Sequence, residues 1–381
     1  MITPRRATWF ELFGDLVFAA AIGQLTRLVG AHPTLESIAA AAGLFVPVWW
    51  TWVLYAVQAN RTDRDTAAHR LIAMAGWAGV IAMAMCADGV TGSAGAAAGF
   101  VGGYLWARAG VAALYAWDAR GGTALQPVLR AYVRGSLFSG AAWLGGLILV
   151  HGAPRYLVWT AAMICELLLP LVAGRSIARV SHEAEHLRER FGAFTIMVLG
   201  ESVLGFTGGL THAPLTPAAA LTGIAAFGLT ACLWWTYFNA GGTRPGAHAA
   251  LNRGGKLLHA YTFGHLPLQL GLALTGATIG IAVAGGSAHL DITAAACLLG
   301  GVIIFLAASA LTRAAFLGFG EGVVVRRLLT AALLLSLLPL APHVPFTAVL
   351  VVLTAVLAVS ATLEAPAYRI EESVGQRVDG D

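Results

Sequence analysis

Twelve apolar runs constrain this chain more than any other feature, because each is about as long as a helix that crosses a bilayer. Such a helix needs about 20 apolar residues to span a ~30 Å hydrocarbon layer. The runs fall at approximately 9–29, 37–59, 70–90, 95–117, 131–150, 155–174, 191–210, 217–239, 258–283, 291–313, 326–341 and 344–363, the eleventh being the shortest. Breaks such as Gly241-Gly242 and Ala341-Pro342-His343 separate them. Only 11% of the residues are charged and 58% are hydrophobic, against about 25% charged in a soluble domain. With a mean hydropathy of +0.76, this excludes an ordinary soluble enzyme, a disordered chain and a DNA-binding domain. The expected fold is an all-α integral membrane protein of about twelve transmembrane helices.

Orientation follows from the cations. Of the 23 Lys and Arg residues, all but Arg27, Arg108 and Arg155 lie at the N-terminus, after even-numbered runs, or in the C-terminal tail. The positive-inside rule then places both termini in the cytoplasm, with the chain in the bacterial inner membrane. It also accounts for a pI near 9.0 without a nucleic-acid partner. The N-terminal segment lacks the pattern of a cleaved signal, so the first run is expected to remain as a helix. The partners expected are membrane lipids and an unidentified small solute or ion; oligomeric state is left open. Cys86, Cys165, Cys232 and Cys297 are far apart within apolar runs and read as small buried hydrophobes rather than disulfides or zinc ligands.

The two halves echo one another. Trp49-Trp50-Thr51-Trp52 matches Trp234-Trp235-Thr236-Tyr237 at an offset of 185, and Phe10 and Phe13 match Phe191 and Phe194 at 181. Gly76 matches Gly264 at 188, and Pro154 matches Pro345 at 191. Six spans per half imply parallel repeats about an axis along the membrane normal, an organisation common in secondary transporters. The expected division is 1–174 and 191–365 as six-helix repeats, 175–190 as a cytoplasmic linker and 366–381 as a cytoplasmic tail.

Four ionisable groups fall well inside the runs: Asp15, Arg108, Glu166 and Glu201. A charge at a helix centre costs roughly 2.5–3.5 kcal/mol on insertion scales. At ~1.5 Å per residue, Glu201 and Glu166 lie near mid-depth and Asp15 about 9 Å in from Trp9. One arginine facing three acids leaves two carboxyls without an obvious partner. Carboxyls that exchange a proton inside a membrane are what a proton relay needs. The competing reading is interhelical hydrogen bonding that merely packs helices; it suits Glu166 best, whereas Asp15 and Glu201 read as functional. Arg108 is expected to be the fixed counter-charge. Glu11 lies on the same helix face as Asp15, near the interface, and the pair only weakly suggests a divalent cation. In Gly200-Glu201-Ser202 the small neighbours allow close helix approach and would hold the carboxyl in a dry place.

In the ninth run His259 and His265 precede Pro267 and Gln269. A core histidine in a hydrogen bond is the simpler reading of His265, a titrating group the sharper one. His182 and His186, spaced as HxxxH among Glu183, Glu185 and Glu189, read as a solvated charged helix. The tryptophans at the ends of the second and eighth runs read as an aromatic belt, with a cavity lining as the alternative. No Walker A, GxSxG, HExxH or dinucleotide fingerprint occurs, and no cofactor is expected.

The segment WFELFGDLVFAAAIGQL, from Trp9 to Leu25, and ERFGAFTIMVLGESVLG, from Glu189 to Gly205, resemble the two most recognisable blocks of the bacterial low-temperature-requirement protein A family. The resemblance covers Glu11, Leu12, Phe13, Asp15 and Leu16, then Glu189, Arg190, Phe191, Gly200, Glu201 and Ser202. It implies an integral bacterial membrane protein and supplies no biochemical activity. Gly14 departs from it, standing where an aromatic is expected, so looser packing beside Asp15 is anticipated.

The leading functional reading is a secondary transporter or channel-like permease, proton-coupled through Asp15 and Glu201, with Arg108 as counter-charge and Glu11, Glu166, Ser202 and His265 as further binding candidates. Two other readings stay open: a membrane-embedded enzyme acting on a lipid or isoprenoid, and a structural or sensory membrane protein whose buried charges only pack helices.

Overall fold

In the computed structural model the residues described are 7–31, 33–62, 65–121, 126–172, 183–212, 216–238, 256–284 and 289–378. Among them the chain is all-helical, with twelve α-helices and no strand beyond an isolated bridge between His289 and Pro345. The helices are α1 (Trp9–Ala31), α2 (Leu35–Arg61), α3 (Ala67–Cys86), α4 (Ala94–Asp118), α5 (Gln126–Leu149), α6 (Pro154–Val172), α7 (Ala184–His212), α8 (Pro217–Phe238), α9 (Lys256–Ala284), α10 (Ile292–Leu317), α11 (Gly322–Leu337) and α12 (Phe346–Val378). Each of the twelve apolar runs overlaps one of them. Nine are long and apolar enough to cross a membrane; α4, α5 and α9 are not in that set.

Helix ends follow ordinary capping chemistry. Thr66, Ser93 and Asp291 each accept a hydrogen bond from the backbone N–H three residues on, filling a donor that the first helical turn leaves open. Pro154 and Pro217 occupy first positions, where the missing N–H costs nothing. Gly318 ends α10 at φ 94°, a conformation that favours glycine. Within α2, Pro47 removes a backbone donor, and Thr51 Oγ1 donates to the Pro47 carbonyl at 2.7 Å. Thr236 in α8 makes the same four-residue back-bond to Cys232.

Large apolar side chains point outward along these helices; Leu137 and Phe138 are each 68% exposed, and Ile224 is 69% exposed. A water-soluble protein rarely exposes apolar surface on this scale, whereas lipid accepts it. Cys297 is buried as expected, but Cys165 is exposed and Cys86 and Cys232 are half-buried, all four as free thiols.

The chain divides into two compact units, residues 1–25 with 39–194 and residues 26–38 with 195–381. In the first, α3 packs on α4, and α5 on both α4 and α6. The α3–α4 approach is set by glycine: a Cβ added to Gly103 would stand 2.5 Å from the Gly79 carbonyl oxygen. In the second unit α9 packs on α10, α8 on α12, and α11 on α10. There a Cβ added to Gly271 would stand 2.5 Å from the Gly301 carbonyl oxygen.

Residues 184–190, expected as linker, form the first turns of α7, and α12 runs on through the expected tail to Val378. Residues 175–182 of the expected linker, with Arg175, Arg179 and His182, lie outside the described residues, as do Gly241-Gly242, Arg5, Arg6, Arg64, Arg244 and Arg253.

Candidate functional site

In the first unit, α7 begins earlier than its apolar run because its opening turns are two-faced. Ala184, Leu187, Phe191, Phe194 and Val198 recur at helical spacing and are all buried. Phe191 and Phe194 pack on the Trp52 ring, with centroids 4.9 and 4.1 Å away. His186 and Arg190, one turn apart, carry this segment's polar contacts to α1 and α2.

Those contacts build a buried charge cluster around α1. Asp15 is fully buried. Its Oδ1 accepts from Trp52 Nε1 at 2.7 Å and from Arg190 Nη2 at 2.6 Å, while Oδ2 accepts no hydrogen bond. One turn earlier, Glu11 Oε2 accepts from the Thr8 backbone N–H at 2.7 Å and from its hydroxyl at 3.0 Å. His186 Nε2 lies 3.2 Å from Glu11 Oε1. The Asn60 amide is fixed by a reciprocal pair with the Glu183 backbone, donating at 2.8 Å and accepting at 3.1 Å. Its second N–H is 3.1 Å from His186 Nδ1, which assigns Nδ1 as acceptor and leaves the Nε2 proton for Glu11. The Glu189 carboxylate accepts from the Ala7 backbone N–H at 3.0 Å.

Beside this cluster is a cavity of about 60 Å³, lined among others by Glu11, Tyr55, Gln58, His69, Trp77 and Arg190. Asp118 anchors its wall: Gln58 Nε2 donates to Oδ2 at 2.9 Å, and His69 Nε2 lies 2.9 Å from Oδ1. Trp77 reaches the site because position 14 is glycine; a Cβ there would meet the Trp77 ring at 2.5 Å. The indole stacks on Phe10, with centroids 4.9 Å apart. The looser packing anticipated beside Asp15 is therefore corrected, because an aromatic from α3 fills what Gly14 leaves.

A second cluster in the same unit joins α4, α5 and α6. Arg108 pairs with Glu166, which also accepts from Tyr104 at 2.7 Å and from Ser139. Arg108 Nη2 donates to Ser136 at 2.8 Å, and its guanidinium lies 5.0 Å from the Tyr132 ring centroid. Every strong group here has a partner, which is how a structural ion pair is held.

In the second unit Glu201 is half-buried and accepts from Thr26 at 3.4 Å. Ser202 is buried, its hydroxyl without a hydrogen-bond partner, and packs on Gly276, while Gly205 meets Gly280. His265 donates from Nδ1 to the Tyr261 carbonyl at 2.7 Å, so Nε2 accepts from the Tyr237 hydroxyl at 2.9 Å. Gln269 donates to Thr195 at 2.9 Å. Arg327 makes two hydrogen bonds to Glu364, at 3.0 and 2.8 Å, and a third to the Thr236 carbonyl at 2.7 Å.

The structure thus brings Glu11 and Asp15 into one cluster and Arg108 and Glu166 into another, while Glu201, Ser202 and His265 lie in the second unit. Three expectations are corrected. Arg108 is not the lone buried cation: Arg190 pairs with Asp15 and Arg327 with Glu364, although both were assigned to loops. His186 belongs to no solvated helix, being fully buried against Glu11 and Asn60. The tryptophan pairs differ, Trp49 and Trp50 being buried and Trp234 and Trp235 nearly half exposed. Sequence reasoning missed Asn60, His69 and Asp118, and reached Arg190 only through the resemblance and His186 only as a solvated residue; the four-residue spacing of His186 and Arg190 was the available signal.

Of the first cluster, Glu11 and Asp15 come from one sequence block and Glu189 and Arg190 from the other, while His186, Asn60 and Trp52 lie outside both. An uncharacterised protein of Rhizobium meliloti (strain 1021) is 28% identical over 314 residues, covering 79% of this chain and 76% of that protein. No solved structure matches. Residues 6–362 match the description "Bacterial low temperature requirement A protein (LtrA)", and the chain belongs to that family.

Proposed function

We propose that this chain is a proton-coupled secondary transporter or permease of the bacterial inner membrane. It has twelve spans in two parallel six-helix repeats, residues 1–174 and 191–365, with both termini cytoplasmic. The observation that carries the reading is the buried acid–base cluster of Asp15, Arg190, Glu11 and His186 beside a small cavity lined by apolar and polar residues. Ionisable groups inside membrane helices are costly and mark ion or proton pathways. A cavity with convergent polar groups is the default place for a small ligand.

The repeat gains support from the glycine contacts. Gly79 against Gly103 and Gly271 against Gly301 are the same kind of backbone approach, offset by 192 and 198 rather than by the 188 of the Gly76–Gly264 word match. The back-bonding threonines Thr51 and Thr236 keep the offset of 185.

The test is proton flux in proteoliposomes loaded with a pH dye, with candidate solutes added singly under an imposed gradient. Solute-dependent flux is expected in the wild type, with Asp15→Asn and Glu201→Gln each abolishing the coupled component. Coupled flux that survives both substitutions, in protein shown to be folded, rejects the assignment of these carboxyls. No flux with any solute rejects the transporter itself.

A further inference from the structure

We propose that the groove between α4 and α5 seats an anionic glycerophospholipid, with Arg130 and Arg134 on its phosphate and the alanines of α4 beneath an acyl chain. The site requires only that the chain lie in a bilayer, and it stands whether or not the protein carries a solute.

The groove has a volume of about 530 Å³. Ala112, Ala113 and Ala116 of α4 form one wall and Leu129 and Val133 of α5 the other, with Arg130 and Arg134 along its border. Small side chains on α4 are what leave it open. Ala113 and Ala116 are exposed, and so are Ala98, Gly102 and Ala109 at helical spacing on the same face. The lining is almost wholly carbon, so the two arginines border it with their aliphatic stems.

Both arginines are exposed. Lying four residues apart on one helix face, they have Cβ atoms about 5–6 Å apart, close enough for both guanidinium groups to meet one phosphate. Helical side chains lean toward the N-terminus of their helix, which for α5 is Gln126. The stems therefore run along the groove while the charged heads rise toward the membrane surface, where lipid phosphates lie. Arg134 stands about 12 Å along the helix from Gln126, at ~1.5 Å per residue. An arginine facing lipid at that depth is costly unless its head reaches water or an anion.

The protein supplies no such anion here. No acid lines the groove, and Asp118, near the end of α4, is buried against Gln58 and His69. Among the described residues neither arginine makes a hydrogen bond or ion pair. Deeper along α5 the same face turns apolar, with Leu137, Phe138, Leu144 and Ile148 exposed. Charge followed by carbon along one face matches the order of headgroup and tail in a phospholipid. Arginine takes a phosphate through two N–H groups at once, and basic pockets between membrane helices on the cytoplasmic side suit acidic headgroups. A free phosphate would gain nothing from the carbon-lined walls, and a zwitterionic lipid brings a cation of its own to two arginines.

The experiment is native mass spectrometry of the purified full chain in detergent, titrated with dioleoyl phosphatidylglycerol or with dioleoyl phosphatidylcholine. Wild type is expected to retain one phosphatidylglycerol at concentrations where phosphatidylcholine is lost. Arg130→Gln and Arg134→Gln should each raise the Kd about fivefold, and the double variant about thirtyfold. Ala113→Trp keeps both arginines but obstructs the groove, and it should weaken binding as well. All three positions are exposed, so unchanged helicity by circular dichroism is expected throughout. Equal retention of the two lipids, or an unchanged Kd in the double variant, overturns the proposal. Displacement of the lipid by an equal concentration of glycerol 3-phosphate would reduce the site to a bare anion site and overturns it too. So does a wild type that runs as two copies and becomes one in Ala113→Trp with phosphatidylglycerol still bound, because the face is then covered by a second chain.

Discussion

Glu166→Gln is expected to cost this fold about 3–5 kcal/mol, the penalty for breaking a buried pair by removing one partner. Arg108 and Glu166 are each about 5% exposed or less. Removing the carboxylate strands a guanidinium that cannot shed its charge and leaves Tyr104 and Ser139 facing an amide. Arg108→Met is expected to cost less, because the abandoned Glu166 can take up a proton and keep its hydrogen bonds to Tyr104 and Ser139 in neutral form. The double substitution Arg108→Met with Glu166→Leu should recover most of the loss, since apolar groups replace a charged pair nearly neutrally or better. Thermal unfolding of these proteins in one detergent, with Glu166→Leu added as the single that closes the cycle, measures the coupling. Arg108→Met proving as costly as Glu166→Gln, or the double variant being the sum of the singles, would refute the electrostatic account of this cluster. The same result separates the two buried clusters of the first unit. Around Arg108 and Glu166 the charged groups are partnered, whereas Asp15 Oδ2 and Arg190 Nε and Nη1 have no hydrogen-bond partner.

Hydropathy alone located the helices, since each apolar run lies on one, because lipid-facing residues mark a span whatever its partners are. The same property concealed the buried cations. Arg190 stands just before the run that opens at Phe191, and Arg327 stands in the first turn of the eleventh; both fall at the edge of an apolar run, where the positive-inside count takes them for cytoplasmic-side residues. Only packing reveals that α7 begins seven residues earlier, with Leu187 and Phe191 buried on one face and His186 and Arg190 meeting acids of α1. Asp15 could be picked out as a charge that needed a partner, but its partner is 175 residues away, and spacing along a chain carries no information about such a pairing. Gly14 shows the converse: a missing side chain reads as a gap in the sequence, and the structure fills it from α3 with Trp77.

Adjacent glycines should respond oppositely to the same mutation, in both units. Gly103→Ala places a methyl group 2.5 Å from the Gly79 carbonyl oxygen and 3.0 Å from the Met83 nitrogen. Both are backbone atoms of α3 and cannot turn aside, so the helices must separate. Overpacking of this kind costs typically 1–3 kcal/mol, and without a hydrophobic drive between helices in lipid, close approach is much of what binds them. Gly102→Ala meets nothing within 4 Å and should instead gain about 0.5–1 kcal/mol from the helix preference of alanine. Gly301→Ala and Gly300→Ala repeat the contrast in α10, the first against Gly271 and Thr275, the second into open space. Four single variants unfolded side by side decide it. Destabilisation by Gly103→Ala and Gly301→Ala alone would tie each helix pair to one glycine contact. It would also mean that two dyads 198 residues apart perform the same task, as copies of one ancestral hairpin should. Equal tolerance within either dyad would break that equivalence and, with it, the main structural support for a repeated architecture.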